Sequence, residues 1–286
     1  MIINLKNIVR KQKRKLPRRL PVTTYPKGLE AEMQRIVLNQ MTDMEISYRE
    51  LVRPYLQLSG RVYGKGILDS AEEKINFWNK FAAWKSAVDE IVSNPEYQNL
   101  IAKIYKKLST RNANDLNKKV KKIVGIEPYG QEPWIDRQIN QQVKKHVALI
   151  KNVGEQIKTD IETIVRRNAS QGMSRTRMIE EIEQGLQGAK GRFKTVRTRA
   201  KLIARTETAN FYATVNQTRF TEAGLETFVW QSVEDSRVRP RHRELHGQVF
   251  KFDDPALPEG GPGGSPNCRC IAEINLEEIN KGVSDD

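Results

Sequence analysis

Cysteine and histidine are scarce in this chain of 286 residues, which holds two of the first and three of the second. Two cysteines in so long a chain exclude a disulfide-stapled scaffold, and the simplest setting for them is a reducing compartment. Long apolar runs are also missing. No stretch reaches about 18 apolar residues, so no transmembrane helix is expected. The opening "MIINLKNIVRKQKRKL" has neither a long apolar h-region nor a small-residue cleavage site, and it does not read as a secretory signal. No internal repeat is present, which argues against a solenoid or propeller. The one glycine-rich loop, "GGPGG", continues as Ser-Pro-Asn instead of Gly-Lys-Ser/Thr and is not a phosphate-binding P-loop.

Positive charge is abundant. Lys and Arg number 49 against 35 Asp and Glu, a formal net charge of +14. Eight of these cations fall in the first 20 residues, which contain no acid: Lys6, Arg10, Lys11, Lys13, Arg14, Lys15, Arg18 and Arg19. A second acid-free block runs from Lys190 through Arg197 and Arg199 to Arg205. Such blocks suit a polyanion, most simply nucleic acid, and each neutralised phosphate makes binding more salt-sensitive. The candidate contacts are Lys11, Lys13, Arg14, Lys15, Arg18, Arg19, Arg197 and Arg199; the other reading is a solubilising tail.

Residues 1–27, with Pro17, Pro21 and Pro26, read as an extended basic arm. Residues 28–190 read as helical. Leu29, Met33, Val37, Met44, Tyr48, Leu51 and Tyr55 share a helix face. "SAEE" proposes a capping box of Ser70 and Glu73, and Pro95 is expected to interrupt the helix that follows. After "EPW", apolar residues from Ile135 to Ile164 step by threes and fours, which predicts a helix of roughly 35 residues, about 50 Å long. His146 lies on its stripe and reads as a core histidine. A further helix should start near Lys194 and end at "EAG", with Gly224 as its C-cap. Glu207 lies on that helix's apolar stripe, four residues from both Ile203 and Phe211, and needs a cation or donors.

Beyond Gly224 the pattern changes to short pieces. "LETFVWQSV" alternates as a strand, and "RPRHRELHG" is a short helix with Pro240 in its first turn and Gly247 at its end. "QVFKF" is a strand, residues 253–267 are a Gly/Pro loop, and "CRCIAEI" is a last strand. The fold class expected is mainly α with a small C-terminal α+β module. The final residues, 277–286, read as an acidic tail.

The scarce residues collect here. His242 and His246 are four apart and on a helix would face the same way. Cys268 and Cys270 are two apart and on a strand would do likewise. Two nitrogens and two sulfurs make a tetrahedral zinc set of structural type. The alternative is two buried thiols packing as small apolar groups beside two surface histidines. A disulfide within Cys-x-Cys would close a cramped ring. Zinc-peptidase chemistry is disfavoured, because Glu244 sits two residues after His242, about 200° around the helix and away from the histidine face.

The order "ARTETANFYATVNQTRFTEAG", a Trp230-bearing strand, "DSRVRPRHRELHGQVF", a Pro/Gly loop and "NCRC" resembles the phage minor head protein family, the Mu F-like head morphogenesis proteins. The likeness covers roughly residues 195–275, within a module set at 191–276. Its pattern falls on Arg205, Thr206 and Glu207, then Asp235, Arg237, Arg239, His242 and Gly247, then Asn267, Cys268, Arg269 and Cys270. One branch of the family carries cysteines where this chain has Arg239 and His242, and that branch looks like a four-cysteine metal site. The resemblance implies a non-enzymatic component of the virion, in the head interior or at the portal, assembled in the host cytoplasm. Implied partners are the portal protein, major capsid or scaffold proteins and double-stranded DNA, with no membrane. Glu207 would pair with Arg237 or Arg239, and zinc is the one cofactor considered. The rival is a metal-dependent hydrolase acting on nucleic acid or cell wall.

Overall fold

The computed structural model describes residues 4–12, 16–57, 71–130, 132–171, 175–186, 196–233 and 235–284. Helices dominate: α1 (Leu5–Gln12), α2 (Lys27–Leu51), α3 (Arg53–Gln57), α4 (Ala71–Ser93), α5 (Pro95–Val124), α6 (Ile135–Ser170), α7 (Arg175–Leu186) and α8 (Val196–Glu222). There follow β1 (Thr227–Gln231), α9 (Pro240–Glu244), β2 (Val249–Lys251), β3 (Ile271–Ile274) and α10 (Leu276–Ser284). The expected class, mainly α with a small C-terminal α+β module, is the class found. Among the described residues no helix is long and apolar enough to cross a membrane.

Two punctuation marks read from sequence, Pro95 and Gly224, hold. Helix α4 stops at Ser93 and α5 restarts at Pro95, where proline's missing N–H costs nothing in the first turn. Helix α6 has 36 residues, close to the length its stripe implies. Its His146 is buried, as a stripe residue should be. Helix α8 ends with Leu225 N donating to the Phe220 carbonyl and Gly224 N to that of Thr221, the paired bonds of a glycine C-cap. The capping box at Ser70 and Glu73 lies outside the described residues and side chains.

The chain forms two compact units. One comprises Met1–Met33, Ala102–Gln142 and Leu202–Asp286; the other comprises Gln34–Ile101 and Val143–Lys201. These units follow other boundaries than an arm, a helical region, a module and a tail.

In the first unit, a three-stranded antiparallel sheet of order β2-β1-β3 pairs Phe228 with Phe250 and Trp230 with Ala272. On β1, Phe228 and Trp230 are buried while Thr227, Val229 and Gln231 are half-buried, the alternation of a strand with one covered face. The covering layer is Leu116, Val120 and Ile123 of α5, Phe220 of α8, Leu5 and Val9 of α1 and Ile279 of α10.

Two expectations about the ends are corrected. The segment read as an extended arm contains α1, capped by Asn4 Oδ1 on the N–H of Asn7 at 3.0 Å. Leu5 N donates to the Ala223 carbonyl at 3.0 Å, and Leu5 and Val9 are wholly buried. Burying both removes enough apolar surface to hold a short helix that would not persist alone, roughly 1.5–3 kcal/mol per side chain. The charge of this stretch masked a three-and-four spacing of Leu5, Ile8 and Val9. The acidic tail is likewise helical as far as Ser284. α10 is capped by Asn275 on Glu277 N at 3.1 Å, Ile279 is buried, and Glu278 pairs with Lys6 at 2.7 Å. Acids in its first turn suit the positive end of the helix dipole.

The second unit has an aromatic core. Tyr48 of α2 and Phe77, Phe81 and Trp84 of α4 are buried, with Phe81 and Trp84 ring centroids 5.2 Å apart. Helix α7 closes against α3 through Arg53 and Glu183 at 2.9 Å.

Candidate functional site

The short helix α9 starts with Pro240 at its first turn and ends at Glu244. Leu245 closes it through backbone bonds, and Gly247 then takes φ 79°, a left-handed conformation that glycine enters freely. Gly247 N donates to the Trp230 carbonyl at 2.8 Å, which locks the helix end against β1. His242 is thereby held inside, 4% exposed, with its ring edge-on to Trp230 at 5.3 Å.

Residues 253–267 bring the chain back over α8. Gly263, at φ 84°, lies so close to that helix that a Cβ would meet the Ala209 carbonyl oxygen at 3.0 Å and Ala213 Cβ at 3.1 Å. The loop ends at Asn267, which has φ 65°, unusual outside glycine. Two bonds hold it there: its N–H donates to Thr206 Oγ1 at 3.0 Å, and its Oδ1 accepts from Arg205 Nη1 at 2.7 Å. Arg205 is itself anchored to Glu30 at 3.1 Å. These contacts join Arg205, Thr206 and Asn267: α8 supplies the fixture that turns the chain into Cys268.

Cys268 and Cys270 precede β3 and are not yet on the strand. Both sulfurs nonetheless reach the same nitrogen. Cys268 Sγ lies 3.5 Å and Cys270 Sγ 3.6 Å from His242 Nδ1. The three ligand atoms lie within 4.8 Å of one another, and all three residues are buried. Sulfur and nitrogen sharing one tetrahedral zinc, with bonds of about 2.3 and 2.0 Å, stand about 3.6 Å apart. The donor set and its spacing therefore fit a zinc ion. The Cys268 thiol is held below its ordinary range, first by the hydrogen bond from the Cys270 thiol, against burial, and then by backbone N–H groups of Cys270 and Gly263 and by His242. Cys270 is pushed up by the same pairing and by burial. One thiolate is thus already favoured in the cluster.

His246 does not join them. It is exposed, and its Nδ1 accepts from Ser232 N at 3.2 Å. The expected four-residue repeat fails because α9 ends at Glu244, so His246 lies beyond the helical turn that would have carried it alongside His242. Arg239 donates to the Pro266 carbonyl at 3.0 Å. A cavity of about 80 Å³ opens beside the cluster, walled in part by Asp235, Arg239 and Asn267.

The other singled-out residues have defined places. Asp235 is paired with Arg269 and accepts from Arg237 N at 3.0 Å. Burial pushes the Asp235 carboxyl up, but the Arg237 N–H and the Arg269 guanidinium outweigh it and hold it below the usual range. Glu207 is buried and accepts from Tyr105 at 2.9 Å and from Gln142 at 3.1 Å. Of the cations proposed for nucleic acid, Lys11, Arg18, Arg19 and Arg197 are exposed, whereas Arg199 is half-buried and donates to Gln156 at 2.9 Å. Lys13, Arg14 and Lys15 lie outside the described residues. Sequence reasoning missed Glu30, Tyr105, Gln142 and Arg269 as partners. Only Arg269 carried a signal, its place between the two cysteines.

The segment that builds this knot is similar to a family of phage head morphogenesis proteins. Residues 159–273 match the family described as Phage Mu protein F like protein. The match begins within α6, upstream of the stretch whose motifs carried the likeness. The chain is also similar to an uncharacterized protein of Haemophilus influenzae, 28% identical over 151 residues. That alignment covers 53% of this chain and 32% of the relative, so the chain spans about a third of that protein's length. No solved structure matches the chain.

Proposed function

We propose that this protein is a minor structural component of the phage head that assists head morphogenesis and DNA packaging or delivery, without catalysing a reaction. The family match over residues 159–273 carries this reading. In it the protein sits at the portal or in the head interior, touches portal, capsid or scaffold subunits and the packaged duplex, and assembles in the host cytoplasm. The C-terminal module acts as a rigid knot. His242, Cys268 and Cys270 would hold a zinc ion that ties α9 and the Gly/Pro loop to the start of β3. Such an ion would contribute folding free energy directly, as structural zinc does.

The rival, a metal-dependent hydrolase, draws support from the count of three ligands, which is also that of catalytic zinc sites with an open position. Against it, Asp235 is tied to Arg269 and Glu244 is exposed outside the cavity, which leaves neither carboxylate as a base. Deleting the gene from the phage or prophage that carries it tests the reading. Normal yields of infectious particles would overturn it; accumulation of empty or uninfectious heads is expected. Metal-dependent hydrolysis of nucleic acid or cell wall by the purified protein would favour the rival; none is expected from a structural component.

A further inference from the structure

The candidate nucleic-acid contacts read from sequence were the N-terminal cations and Arg197 and Arg199. A different surface is better built for the task. Helix α5 and the start of α2 enclose an open groove of about 860 Å³ within the first unit. Along α5, Lys103, Lys107, Thr110, Asn114, Lys118 and Lys121 fall within about 80° of one another on the helix, a stripe about 27 Å long. Lys106 and Arg111 flank it. Asp115 stands off the stripe and accepts from Tyr212 at 3.1 Å.

Charge on this face is only partly compensated. Lys107 pairs with Glu32 at 2.6 Å, Lys121 with Glu127 at 2.7 Å, and Arg111 donates to Thr24 Oγ1 at 2.9 Å. Lys103, Lys106 and Lys118 are exposed and have no carboxylate partner among the described residues. The two neutral side chains in the stripe, Thr110 and Asn114, are of the kind that donates to phosphate oxygens. The opposite side of the helix is committed to the core through Leu108, Leu116 and Val120, so this face is held in a fixed geometry.

We propose that this α5 groove is the surface that binds the phosphate backbone of double-stranded DNA. The proposal rests on the reading that the protein meets the packaged duplex, and it assigns that contact to residues no motif marked. Two features select the occupant. No aromatic side chain lines the groove, whereas single-stranded nucleic acid is held on stacking platforms. Leu29 is the one apolar side chain in the lining, whereas an acidic helix docking in a groove needs several apolar anchors.

The test is fluorescence anisotropy of a labelled random-sequence duplex with the purified full-length protein over a salt series. Lys103→Gln/Lys106→Gln/Lys118→Gln should weaken binding roughly tenfold or more and lower the slope of log K against log salt by about 2–3, near 0.9 per lost phosphate contact. Arg18→Gln/Arg19→Gln should change the slope by less. If the triple variant loses its melting transition, Lys118→Glu alone carries the test, with a slope change of about 1. An unchanged slope and affinity in a folded variant overturns the assignment. So does single-stranded DNA or polyglutamate competing as well as the duplex does. The measurement needs no particle, so its failure and that of the head-protein reading are told apart.

Discussion

The two compact units bury different chemistry. The second is built around rings, with Tyr48, Phe77, Phe81 and Trp84 inside, and most of its ion pairs face water, as Lys85–Glu162 does. Where it buries a lysine, Lys158, the acids Asp89 and Glu155 are half exposed. The first unit has buried ions on both sides of its bonds. Arg219 is 1% exposed and donates to Glu132 at 2.5 Å, the Ser109 carbonyl at 3.0 Å and Asn112 Oδ1 at 2.7 Å. Lys119, equally buried, pairs with Glu273 of β3. Arg205 joins Glu30 to Asn267. Apolar contact is non-directional, whereas a buried guanidinium with directed partners favours one arrangement. The difference teaches that the first unit, stitched from three separate stretches of chain, is specified by polar bonds between those stretches.

The largest effect that would break this comparison is at Arg219. Arg219→Ala leaves buried acceptors and the Glu132 carboxylate without their donor and should cost about 3–5 kcal/mol, read as a shifted urea midpoint. A change under about 1 kcal/mol would equate the two units. Next is Leu5→Ala. A docked α1 predicts a loss of about 2–4 kcal/mol, whereas a free arm predicts none. Smaller still is Lys85→Gln in the second unit, expected to cost no more than about 1 kcal/mol because that pair is partly exposed and screened.

The smallest effect is in pH. Burial pushes the Glu278 carboxyl up, but the Glu226 and Thr227 N–H groups and Lys6 outweigh it and hold it below its ordinary range. A lowered carboxyl stabilises the fold above its unfolded value and loses that contribution as pH falls through the folded value. The wild type should therefore lose α10 docking on the acid side, by less than about 1 kcal/mol given its exposure. Glu278→Gln should show a flatter acid limb in thermal melts taken across pH. Parallel acid limbs would contradict the docked helix.

Much of the helical layout was legible because periodicity and punctuation are local. Pro95, Gly224 and the stripe of α6 sit where the chain itself signals. The convergence of His242 with Cys268 and Cys270 was legible too, since scarce ligand types fell close in sequence. His246 was misplaced because Gly247 marked the end of a turn, not of the helix, and α9 stops at Glu244. The N-terminal helix was hidden by its charge. The partners of Arg205, Glu207 and Arg219 could not be read, because they lie 175, 102 and 110 positions away in the chain and no local pattern encodes such pairings.

Quantitative mass spectrometry of gradient-purified virions tests the central claim most directly. The account predicts this protein in intact, DNA-filled particles at a fixed ratio to the portal subunit, below that of the major capsid protein. Its absence from such particles, with the protein abundant in the infected-cell lysate, would contradict it.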